Sequence, residues 1–176
     1  MNFYIQASNP KLQYEADYND ETLADAIESM FFPNTENAIL MWNYISVPLS
    51  YKYDISYMMD DLLILLDRMQ NSESGELTIH WLPDTFRCDW KVKWDSENAD
   101  IQSKWENTVG HLERILNENP DVSLLKNDFI GEWKSILGIV VEGLKSCGYH
   151  ADKIKGMKQL IEQYNGINES GLLYRK

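Results

Sequence analysis

ELTIHWLPDTFRCDWKVKWDSENADIQSKW, residues 76–105, is the stretch on which the fold class turns. Leu77, Ile79 and Trp81 alternate with polar residues. So do Phe86, Cys88, Trp90, Val92 and Trp94, and then Ala99, Ile101, Ser103 and Trp105. A period of two belongs to strands that bury one face. Leu82–Thr85 and Asp95–Asn98 have turn composition. The stretch therefore predicts a three-stranded antiparallel meander with one aromatic face.

Upstream, Leu12, Tyr14, Ala16 and Tyr18 interleave with Lys11, Gln13, Glu15 and Asp17, which predicts another half-buried strand. Phe3 and Ile5 read as its hairpin partner across Ser8–Pro10. A helix is expected from Asp20, its cap, to Phe31, with Leu23, Ile27, Met30 and Phe31 inward and Glu21, Asp25 and Glu28 outward. Residues 38–47 read as one buried strand. Residues 54–70 read as a helix with Ile55, Met58, Met59, Leu62, Leu65, Leu66 and Met69 on one face.

Downstream, apolar spacing predicts helices over about 107–118, 127–146 and 151–164, with 119–127 as a short linker. The expectation is an α+β protein. A mainly antiparallel sheet, with the meander at about 76–105, is packed by helices at about 20–31, 54–70, 107–118, 127–146 and 151–164. A length of 176 residues fits a single domain over 1–176. It would be β-rich with two helices over 1–105, helical over 106–165 and a loose tail over 166–176.

Charge is unevenly distributed. The chain has 28 Asp and Glu against 16 Lys and Arg, a net of −12. Residues 1–76 hold 13 acids and three bases, Lys11, Lys52 and Arg68, a net of −10, whereas 77–176 hold 15 acids and 13 bases, a net of −2. Such a field repels nucleic acid and anionic membrane and draws in cationic partners. Two cysteines, Cys88 and Cys147, do not make a disulfide framework. The start lacks a signal-peptide pattern, and the longest apolar runs, 62–66 and 136–141, are too short to span a bilayer. A cytoplasmic location is expected.

Candidate chemistry is sparse. Pro83-Asp84 followed by Asp89-Trp90-Lys91, and Pro120-Asp121 followed by Glu132-Trp133-Lys134, spell the carboxylate and lysine pattern of PD-(D/E)xK nucleases. The first pair is separated by only four residues, the second lies in a helical pattern, and a DNA-cutting enzyme wants a basic groove where this chain is acidic. A calcium loop drawn through Asp17, Asn19, Glu21, Asp25 and Glu28 puts Thr22 where such a loop needs glycine. His80, His111 and His150 have no zinc spacing. No cofactor is expected, and a non-enzymatic role is favoured.

A binding surface remains. Tyr57 and Ile64 lie opposite the main stripe of the 54–70 helix, flanked by Asp60, Asp61 and Asp67. Together with Glu21, Asp25 and Glu28 they form the candidate partner-binding set, an apolar anchor with an acidic rim.

A small, acidic, Trp- and Tyr-rich α+β chain without catalytic motifs resembles bacterial immunity proteins of polymorphic toxin systems, of the contact-dependent growth inhibition kind. The resemblance implies tight neutralisation of a cognate protein toxin, often a basic nuclease, by covering its active site or its substrate-binding surface. Two other readings stay open. One is a metal-dependent nuclease-like enzyme using Asp84, Asp89 and Lys91; the other is a structural subunit of a larger assembly using a Trp-rich sheet face.

Overall fold

The computed structural model describes residues 2–168. Among the described residues, two antiparallel sheets and six α-helices enclose one continuous apolar core that reaches from Phe3 to Ile167. The class is α+β, as the sequence predicts.

The meander forms where its alternation places it. β4 (Gly75–Trp81), β5 (Phe86–Trp94) and β6 (Asn98–Thr108) pair in order, with Trp81 opposite Cys88 and Trp94 opposite Ala99. A register shift falls at Arg87/Cys88, and β6 runs three residues beyond the predicted end. The inward residues, Ile79, Trp81, Phe86, Trp90, Val92, Ile101 and Trp105, are all buried.

A fourth strand, β7 (Asp121–Leu125), joins the edge with Val122 opposite Ile101, where the sequence suggested a linker. Only Val122 of this strand is fully buried, so no periodicity marked it.

The second sheet corrects three expectations. β1 (Phe3–Gln6) pairs with β2 (Ala38–Trp42), Phe3 facing Trp42, and not with residues 11–18. Residues 11–18 form no strand beyond a bridge from Leu12 to Phe31. Their backbone groups are taken by the end of the first helix instead: the Gln13 amide donates to the Met30 carbonyl at 2.8 Å, and the Phe32 amide to the Lys11 carbonyl at 3.2 Å.

The predicted strand at 38–47 is a hairpin of β2 and β3 (Ile45–Leu49). Asn43 (φ +46°) and Tyr44 (φ +68°) make its two-residue turn. Tyr44 holds a left-handed backbone while its ring is largely exposed. Tyr44→Gly should therefore raise stability by about 0.5–1 kcal/mol, read as a higher denaturant midpoint at unchanged slope. A lower midpoint would show that the ring packs in a way its exposure hides.

The helices are shorter than their apolar patterns suggest, because caps and turns set their ends. α1 spans Leu23–Met30 and is capped by Thr22, not Asp20. A single π-helical turn, Tyr51–Ile55, precedes α2 (Ser56–Asn71). At 107–118 only α3 (Glu113–Glu118) is helical. The expected helix at 127–146 breaks at Trp133 into α4 (Lys126–Glu132) and α5 (Lys134–Cys147). α6 covers Met157–Gly166 and starts after Gly156, whose φ of +92° ends the preceding turns. Of the predicted tail, residues 169–176 lie outside the described residues.

Candidate protein-interaction surface

α1 lies against α2 and the π-helical turn. Lys52, in that turn, donates to the Glu28 carbonyl at 2.6 Å near the C-terminal end of α1. At the other end, a Cβ on Gly156 would sit 3.4 Å from Leu23 and 3.6 Å from Asp60. Leu23, Ala26, Ile27 and Met30 face the core, so Asp25 and Glu28 point outward. The outward stripe of α2 carries Tyr57, Asp60, Asp61, Ile64 and Asp67.

The structure brings five of the eight predicted residues into one patch. The Tyr57 phenol lies beside Glu28, whose charge, followed by slight burial and by Asp25, pushes its pKa up. Its ring is 61% exposed. Asp60 and Asp61 follow one turn later. Partial burial and then the Asp61 charge raise the Asp60 carboxyl, and Lys155 offsets part of the rise.

The other three are less central. Ile64, 42% exposed, sits one further turn along α2. Asp67 accepts from Asn71 at 2.9 Å and from Gln163 at 3.3 Å, and so ties α2 to α6. Glu21 is exposed, and its carbonyl accepts from the Lys155 amide. Asp25 also has a local duty: its carboxylate accepts the Thr22 hydroxyl at 2.6 Å while the Thr22 oxygen accepts the Asp25 amide at 3.2 Å, a reciprocal cap for α1.

Electrostatics separate this face from the rest of the surface. The seven ion pairs among the described residues lie on the four-stranded sheet, its β4–β5 turn, α3 and α5. None of them reaches Glu21, Asp25, Glu28, Asp60, Asp61 or Asp67. The outer face of the four-stranded sheet is mixed in sign. Lys91 and Lys93 both reach Glu76 (3.3 and 3.2 Å), His80 meets Asp89 at 2.6 Å, and a depression of about 310 Å³ has lysines and aspartates on its rim. Opposite charges cancel there at short range; on the α1–α2 face no group among the described residues lies within ion-pair distance to do so.

The nuclease-like residues are engaged separately. Asp84 pairs with Arg87 at 2.6 Å, Asp89 with His80, and Lys91 with Glu76. Asp121 accepts from Gln102 at 3.3 Å, and Glu132 accepts the Ile5 amide of edge strand β1 at 2.8 Å. Among the described residues no group of three His, Cys, Asp or Glu is gathered for a metal ion. In the candidate calcium loop, Asp17 accepts the Asn19 amide at 2.9 Å, a local turn. Both cysteines are free and buried, and burial raises both thiols. No helix among the described residues is long and apolar enough to cross a membrane.

Three exposed aromatics near this face escaped the sequence reading. Tyr53 precedes Tyr57 by one turn, and Tyr14 and Tyr18 stand in the loop before α1, 91% and 95% exposed. Alternation had assigned the latter two to a strand, so no signal marked them as surface.

Compared with protein-family models, curated proteins and solved structures, the chain matches none.

Proposed function

We propose that this protein is an immunity protein that binds and neutralises a cognate protein toxin, basic and nuclease-like in chemistry, through the α1–α2 face. The observation that carries the reading is the set of acids in that patch, Asp25, Glu28, Asp60 and Asp61, with no ion-pair partner among the described residues, gathered around the exposed Tyr57. Uncompensated carboxylates steer a cationic protein and speed its approach, and aromatic and aliphatic anchors slow its departure. A nuclease is basic where it holds its phosphates, so a surface of this kind covers the site at which substrate would bind. Inhibition on this reading needs no cofactor, and the chain acts in the cytoplasm of the cell it protects.

The test is affinity capture of the tagged protein from its own cells at low and high salt, followed by expression of the captured partner with and without it. The expected result is one basic partner, toxic alone and harmless in the pair. Asp60→Asn, Asp61→Asn and Asp67→Asn together should slow association about tenfold at low salt and flatten its salt dependence. A partner that is harmless alone, or association kinetics untouched by the three substitutions, overturns the assignment.

A further inference from the structure

The loop Tyr14–Glu21 folds around residues that it does not bury. Its backbone is held at several points. Besides the Gln13–Met30 bond, the Cys147 thiol donates to the Gln13 carbonyl at 3.2 Å. The buried Tyr149 hydroxyl accepts the Asp17 amide at 3.1 Å and donates to the Asp20 carboxylate, and Ser29 on α1 donates to the other Asp20 oxygen at 3.2 Å. With its backbone fixed, the loop still presents Tyr14 and Tyr18 almost wholly to solvent. A loop ordered only for its own stability would turn such rings inward, since each removes a large apolar area from water.

The position of the loop extends the surface already described. Glu28 and Ser29 lie on opposite flanks of the outward side of α1, about 100° apart on the helix. Glu28 touches the α2 side through Lys52 and Tyr57, whereas Ser29 holds Asp20 of the loop. α1 is thus an acidic ridge with the exposed Tyr53 and Tyr57 on its α2 side, and the loop that carries Tyr14 and Tyr18 is tied to its other flank. From Leu12 to Tyr51 the chain carries seven acids and no Lys, Arg or His. Among the described residues, two bases that approach this face are Lys52, held on the Glu28 carbonyl, and Lys155 beside Asp60.

We infer that Tyr14 and Tyr18, with Glu15, Asp17 and the α1 ridge, form a second recognition element for arginine side chains on a basic protein partner. The inference rests on the proposed binding of such a partner and adds where and how it is read. A guanidinium is planar and weakly hydrated, so it stacks on a tyrosine ring while its N–H groups reach neighbouring carboxylates. The fixed backbone lowers the entropy cost of presenting the rings. The same charge pattern repels a nucleic-acid backbone, so the occupant is a protein.

The test is an amide chemical-shift titration of the full chain with a nine-residue oligo-arginine peptide, and separately with oligo-lysine, at low salt. Shifts are expected to concentrate on residues 14–29 and 53–61, with oligo-arginine bound several-fold more tightly. Tyr14→Ala with Tyr18→Ala should weaken oligo-arginine binding about four- to twenty-fivefold, at about two- to fivefold per ring, and leave the other amide shifts in place because both rings are exposed. Shifts on α1 and α2 with no loss in the double variant overturn the loop element and leave the acidic face standing. Absent or evenly scattered shifts overturn both.

Discussion

Trp90→Ala is expected to cost about 3–5 kcal/mol and to leave the chain largely unfolded or loosely packed. Trp90 stands at the centre of β5 and is fully buried. Its ring centroid lies 5.3 Å from Trp42, 5.4 Å from Trp81, and 6.2 Å from both Phe3 and Phe86. Those partners come from both sheets, so this one side chain joins the two layers of strands. Among the described residues its indole nitrogen has no hydrogen-bond partner, so Trp90→Phe gives up volume without breaking a polar contact and should cost only about 1–2 kcal/mol. Urea unfolding followed by circular dichroism checks both. An alanine variant as stable as the phenylalanine one would show that the sheets are held together elsewhere.

Asp54→Ala should cost about 2–3 kcal/mol, and Asp54→Asn far less. Asp54 sits in the π-helical turn and is only 1% exposed. Its carboxylate accepts the Ser50 amide at 2.7 Å, while the Ser50 hydroxyl accepts the Tyr53 amide at 3.2 Å. This is a capping pair stretched by the extra residue of the π turn. The other carboxylate oxygen accepts the Thr85 hydroxyl, which ties the β4–β5 turn to the start of α2. Alanine leaves both donors without their acceptor. An asparagine oxygen can still serve Ser50, and its amide can donate to Thr85.

The same residue sets a pH dependence. Burial raises the Asp54 carboxyl above its ordinary value of 3.8, and hydrogen bonds from Thr85 and Ser50 offset part of the rise. Burial, and then the Asp128 charge, act in the same direction on Glu132, against the bond from Ile5. A group that binds its proton more tightly when folded contributes stability that is complete below the unfolded pKa. That contribution is lost as pH climbs through the raised native value. Between about pH 4 and pH 7 the wild-type chain should therefore lose stability more steeply than Asp54→Asn. Parallel curves for the two proteins would mean that Asp54 ionises without penalty.

These two sites also explain how the candidate surface is held. The Trp90 cluster fixes the sheets, and Asp54 fixes the turn from which Tyr53 and Tyr57 project at the start of α2. The proposed binding face thus stands on well-packed elements, with its exposed side chains carrying the recognition.

By itself the sequence determined the class, the meander, the apolar stripes of α1, α2 and α5, and the concentration of acids in the first 76 residues. Each of these is written in a local period or a count: two for β5 and β6, about 3.6 for α2, and one sign of charge over many neighbours. From the stripe it also placed Tyr57, Asp60 and Asp61 on one outward face. The tertiary structure decided what depends on partners distant in the chain. Phe3 pairs with Trp42 from far away in the chain, and β2 turns back into β3 at Asn43–Tyr44, where neither residue is the glycine that would have announced the turn. Residues 11–18 alternate like a strand, yet α1 and Tyr149 take up their backbone groups, so Tyr14 and Tyr18 end on the surface. Tyr57 meets Glu28 only because α1 and α2, separated in the chain by a whole β-hairpin, pack against each other. A period reports which face of an element is apolar; which element covers that face, and which charges are left unpaired around it, is settled by packing across the whole chain.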